Sequence, residues 1–212
     1  MFDYSLTHWA AFFTAAILLN ISPGPDMAFI LGQTVRGGKR SGFLAMFGIW
    51  TGAFFHVLFA AAGLSAVLAA SAIAFSIVKW VGVIYLVWLG VQALRSNEAF
   101  TISNESLSDS KGGSVFKQGV LIAALNPKVA IFFLAFLPQF VVEGAGPESA
   151  QLFLHGILVI VAAGIVEPPL ILASSKLTTI LRNNNQISVW LDRALGSLFI
   201  SLGIRLAFSE RN

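Results

Sequence analysis

The chain has no cysteine, which excludes disulfides, thiolate metal sites and thiol redox chemistry. Charge is nearly as scarce. Only 11% of the 212 residues are charged, against about a quarter in a soluble domain. With 57% hydrophobic residues and a mean hydropathy of +0.82, the chain cannot coat a water-exposed surface, and it reads as an integral membrane protein. The net charge of +3 does not gather into a nucleic-acid-binding stripe. HExxH, GxSxG and P-loop motifs are missing, and three scattered histidines make a poor metal constellation. Neither an enzyme nor a resident cofactor or metal is expected, and without a nucleotide-binding motif any transport must draw on an ion or solute gradient.

What is there is apolar length. A spanning helix needs roughly 20 mostly apolar residues. Six runs meet that: about Thr7–Leu31, Gly42–Ala69, Ala72–Leu94, Lys117–Val142, Gln151–Ser174 and Val189–Phe208. Their continuity argues for helices over alternating barrel strands, so the expected fold is all-α. The N-terminal "MFDYSLTHW" has no basic residue ahead of its apolar run and carries Asp3, so the first run reads as a retained helix. The polar Ser/Asn/Gly-rich segment 95–116 reads as a cytoplasmic linker between a first half, 1–94, and a second half, 117–212.

Basic residues give the orientation. Arg36, Lys39 and Arg40 fall in the first loop, Arg95, Lys111 and Lys117 in or beside the third, and Lys176 and Arg182 in the fifth. The second and fourth loops have none. By the positive-inside rule the odd loops are cytoplasmic and both termini face outward, with only Arg205 and Arg211 dissenting. Trp9, Trp80, Trp88 and Trp190 near the span ends suit an interfacial aromatic belt. Lys79 and Asp192, a few residues into their spans, suit snorkelling.

The most unusual stretch is Ser22-Pro23-Gly24-Pro25-Asp26, "SPGPD", inside the first apolar run. Prolines and glycine disfavour an unbroken helix there, and a carboxylate in lipid is costly. The second half echoes it: "GPDMAFI" at 24–30 falls over "NPKVAIF" at 126–132, with Pro25 over Pro127 and Asp26 over Lys128. "WLGVQAL" at 88–94 likewise falls over "SLGIRLA" at 201–207. Three spans per half place the halves in opposite orientations, giving two inverted three-helix repeats. Proline-interrupted segments at matching positions of such repeats point to a transporter's binding site. Pro25 suits the first turn of a new half-helix, and Asp26 suits its positive end. Asn126-Pro127-Lys128 opens the matching half-helix. Its lysine is poorly placed for the dipole, and Asp26 is the obvious counter-charge.

Two readings of Asp26 and Lys128 stand together: a structural ion pair locking the halves, or a zwitterion site. Glu167, in "GIVEPPLIL", is a third intramembrane charge candidate, either protonated among helices or a proton-coupling group. His56 suits proton shuttling or, more simply, a helix-to-helix hydrogen bond. Gly48 and Gly52 form a GxxxG spacing for close packing, within the monomer or between the subunits of a homodimer.

"SPGPD", "FGIWTGAFFHVLFAAAGLSAVL", "VKWVGVIYLVWLGVQALR" and "ALNPKVAIFFLAFLPQF" together resemble the LysE/RhtB amino-acid exporter family over nearly the whole chain. Glu167-Pro168-Pro169 is not a pattern assigned to that family. The resemblance implies a bacterial inner-membrane efflux carrier driven by the proton-motive force, with an amino acid and protons as its small-molecule partners and lipid around it. Carried over by position, the family's motifs fall on Ser22, Pro23, Gly24, Pro25 and Asp26, and on Asn126, Pro127 and Lys128. The "SPGPD" and "LNPK" pattern resembles the homoserine, threonine and leucine exporters more than the basic amino-acid exporters. So few membrane carboxylates also favour a neutral amino acid. The alternative is a passive facilitator for a small polar metabolite.

Overall fold

The computed structural model of the chain describes residues 4–22, 24–64, 112–174 and 185–208, with residues 80, 83–84, 87–88, 90–92 and 94–95. Pro23, Lys79, most of the third predicted span and most of the 95–116 linker lie outside the described residues. Among those described, every regular element is helical.

Helix α1 spans Leu6–Ile21, with the Ser5 side chain accepting from the His8 amide at 3.1 Å to cap it. It ends at Ser22, whose extended backbone (φ −63°, ψ 127°) is what a residue before proline prefers. Helix α2, Pro25–Phe59, starts with Gly24 as its cap, Pro25 in its first turn and Asp26 directly after. The first predicted span is thus broken where "SPGPD" breaks it. The expected loop around Arg36–Arg40 is tighter than a loop. Helical geometry runs up to and away from Gly38, which alone leaves it (φ 73°, ψ −179°), a left-handed φ that glycine takes without steric cost. A π-helical turn, Ala60–Leu64, follows α2.

Helix α3, Gly112–Ala124, takes the last residues of the expected linker into the second half's first helix. A short helix α4, Pro127–Ile131, follows, then a π-helical turn at Phe132–Phe136 and a 3-10 turn at Leu137–Phe140. α3 and the stretch Pro127–Phe140 meet at a bend of 51°. Helix α5, Glu148–Leu172, carries Pro168 and Pro169 inside it, and α6 covers Asn185–Ala207. Among the described residues, Pro25–Gly63 and Glu148–Leu172 are each long and apolar enough to cross a membrane, and the bent pair passes the same test when its two parts are taken together.

The packing is close where glycine allows it. α2 lies along α3 and α5, while α1 lies along α5 and α6. A Cβ on Gly48 would run into the Phe116 carbonyl oxygen, and one on Gly52 would stand 2.7 Å from Ala123 Cβ. The GxxxG face is therefore occupied within the chain. Gly156 on α5 accepts Val57 of α2 in the same way.

One end of the bundle is filled by aromatic rings. Phe12, Phe132, Phe136 and Phe140 are buried, with Phe132 and Phe136 stacked at 4.1 Å and Phe12 edge-on to Phe140 at 5.3 Å. Above them His8 and His155 meet Nε2 to Nε2 at 2.9 Å. His155 Nδ1 lies 2.8 Å from the Gln151 carbonyl, which only accepts, so this nitrogen carries the hydrogen. In the neutral pair His8 Nε2–H must then donate to His155. Tyr4 donates to Gln151 Oε1, whose amide group also grips the 142–146 turn through Val142 and Gly146. Burial raises the Tyr4 phenol above its ordinary pKa, so it stays a neutral donor.

Candidate functional site

The two helix breaks meet. Asn126, backbone extended ahead of Pro127, accepts the Lys128 amide on its side-chain oxygen at 3.0 Å and so caps α4. Its other arm crosses to the first half, where Nδ2 donates to Asp26 Oδ1 at 2.8 Å. Lys128 reaches the first break itself: Nζ donates to Ser22 Oγ at 3.1 Å and to the Ser22 carbonyl at 3.3 Å. Helix α1 has ended there, so that carbonyl belongs to the end of a half-helix, whose partial negative charge suits a cation. Gly24 lies beside it: a Cβ there would stand in ordinary contact with Lys128 Nζ, 3.4 Å away.

These groups border a cavity with about 740 Å³ of empty space, its open mouth included. Ser22, Gly24, Asp26, Asn126, Lys128 and Glu167 all line it, among mostly apolar neighbours. That mixture suits a small-molecule site, where a few placed polar groups orient a ligand within an apolar wall. Asp26 and Lys128 interact electrostatically, as do Asp26 and Glu167. One ammonium and two carboxyl groups thus share one hollow.

Glu167 showed no partner in the sequence, and the structure supplies one. Trp50 Nε1–H donates to Glu167 Oε2 at 2.7 Å, linking α2 to α5. Asp26 also has a different neighbour from the one expected: its hydrogen bond comes from Asn126, while Lys128 is turned toward Ser22. Pro25 and Pro127 occupy the first turns of their helices and are exposed. Pro23 lies outside the described residues. His56 does not border the cavity among the described residues. Its Nε2 meets the Ala123 carbonyl at 3.1 Å, a link between α2 and the last turn of α3.

A matching brace lies at the other break. Asn20, in the last turn of α1, donates to the Val159 carbonyl of α5 at 3.4 Å while also donating to Ala16 O at 2.8 Å. With Pro25 laid over Pro127, Asn20 and Ile21 fall over Ile122 and Ala123. Each helix is therefore tied to a neighbouring long helix just before it breaks.

Among the described residues the chain is helical and apolar, with a largely apolar cavity carrying a few charged groups at two helix breaks, an arrangement that suits a membrane transport protein. The family of LysE type translocators matches residues 17–210, and the chain belongs to that family, whose members are transporters and not enzymes. It is 31% identical over 199 residues to a homoserine/homoserine lactone efflux protein of Salmonella typhi, covering 94% of this chain and 95% of that one. The Salmonella typhimurium protein of the same name is 30% identical over the same shares. An uncharacterized membrane protein of Vibrio cholerae is 29% identical over 95% of this chain and 97% of its own. No solved structure matches the chain at a significant level.

Proposed function

We propose that this protein is a secondary exporter moving neutral amino acids, of the size of homoserine, threonine or leucine, out across the bacterial inner membrane in exchange for protons. The observation that carries the reading is the cavity at the paired breaks, which Lys128 lines together with two carboxyl groups, Asp26 and Glu167. A zwitterion needs both signs within a few ångströms. Its carboxylate takes the Lys128 ammonium from Ser22, and its α-ammonium takes Asp26 or Glu167. The two efflux relatives named for homoserine support the substrate class.

Six spans in two inverted repeats are the architecture of this reading. Exchanging the halves turns the α1–α5 packing into the α3–α2 packing, and the Asn20–Val159 brace into the Ala123–His56 brace. By the positive-inside rule the Arg36–Arg40 corner is cytoplasmic and the aromatic end faces outward. Rocking of one repeat against the other then exposes the cavity alternately to each side. Proton exchange at Asp26 or Glu167, with His56 beside the second break as a further candidate, biases the cycle.

The test is efflux of an amino-acid mixture from preloaded proteoliposomes, read by mass spectrometry with and without a proton gradient. Gradient-sensitive loss of a few neutral amino acids is the expected result. Flux that ignores the gradient and saturates poorly makes the protein a facilitator. Retention of every amino acid by folded protein overturns the reading.

A further inference from the structure

Trp50 is half-buried, lines the same cavity as Asp26 and Lys128, and belongs to neither helix break. Three neighbours fix its indole. Nε1–H holds Glu167 Oε2 at 2.7 Å. The far edge of the ring lies over Gly164 of α5, where an added Cβ would stand 3.4 Å from Cη2 and 3.7 Å from Cζ2. Phe47 meets the ring edge-on at 5.5 Å. Gly164 and Glu167, three residues apart on one helix face, thus grip the indole between a hollow and a hydrogen bond.

We propose that Trp50 is the specificity-determining residue of the cavity. It sets the size of the side chain the site accepts, and it is the positioning residue that aims the Glu167 carboxyl. The proposal rests on the exporter reading above. An indole held by Glu167 at its N–H and by Gly164 at its far edge is restrained by α5 against a longer substrate, so it acts as an apolar wall. Such walls discriminate between side chains by roughly 10- to 200-fold per methylene. The same indole occupies one Glu167 oxygen, which restrains the carboxyl where Glu167 borders the cavity.

The test uses efflux of a graded series (alanine, threonine, leucine and phenylalanine) from proteoliposomes holding the full chain. Trp50→Phe shortens the wall and removes the donor, so the leucine-to-alanine and phenylalanine-to-alanine efflux ratios rise, on the order of tenfold. Gly164→Val fills the hollow and drives the ring into the cavity, so both ratios fall. Gly164→Ala, whose methyl would only touch the ring, moves them least. Should Trp50→Phe fail to insert, the direction of the Gly164→Val shift decides alone. A wild-type protein that moves the series, with ratios unchanged in Gly164→Val and in any inserted Trp50→Phe, overturns the proposal and leaves the exporter reading standing. A folded wild-type protein that moves none of the series overturns both.

Discussion

Asn126 donates to Asp26 at 2.8 Å with one end of its amide and accepts the Lys128 amide at 3.0 Å with the other. One short side chain therefore caps the half-helix of the second half and holds the carboxyl that opens the half-helix of the first. The two breaks are mechanically one joint. Any movement of one half against the other must stretch or carry this residue.

Replacing Asn126 should expose both roles. Asn126→Ala loses a helix cap worth about 0.5–2 kcal/mol. It also leaves the Asp26 carboxyl without its donor, at about 1–3 kcal/mol. A clear fall in the thermal midpoint of the detergent-solubilised protein is expected. Asn126→Ser keeps a capping oxygen on a side chain one atom shorter, too short for the bridge to Asp26, so it should recover part of the stability while efflux falls. Normal efflux from Asn126→Ser would show that the bridge to Asp26 is dispensable.

Gly48→Val and Gly52→Val should both destabilise. The first pushes a side chain into the Phe116 carbonyl and the second into Ala123, each on the backbone or Cβ of a packed helix that cannot swing aside. Overpacking of this kind costs about 1–3 kcal/mol. Titration with a denaturing detergent should show it, and a wild-type midpoint in both variants would mean that the α2–α3 contact is looser than described.

The His8–His155 contact should appear as coupling in a double-mutant cycle. His8→Ala and His155→Ala each remove the same shared hydrogen bond, so the double variant should be less destabilised than the sum of the two. The expected interaction is about 0.5–3 kcal/mol, measured as unfolding free energy. Strict additivity would make the 2.9 Å contact energetically idle.

The breaks were legible because proline announces them: it cannot donate and it fixes its predecessor as extended, and both effects act within two residues. Ser22, Asp26, Asn126 and Lys128 followed from that, as did the all-helical class from unbroken apolar runs. The partnerships were not legible. Trp50 and Glu167 are 117 residues apart and Asn126 and Asp26 are 100 apart. Nothing local in "FGIW" or "ALNPK" marks a hydrogen bond across the bundle. Charge alone points Lys128 to Asp26, but the Ser22 carbonyl and hydroxyl at the end of α1 also accept from its ammonium. His8 and His155 are 147 residues apart and come together only when α1 packs on α5.

The most direct measurement is efflux of a neutral amino acid from proteoliposomes holding equal amounts of wild-type protein, Asp26→Asn and Lys128→Ala, each first shown to be inserted and folded. If the cavity at the joined breaks carries the substrate, both variants lose gradient-driven efflux while remaining intact. Efflux at the wild-type rate from both would contradict the account, placing transport elsewhere and leaving Asp26 and Lys128 as structural ties.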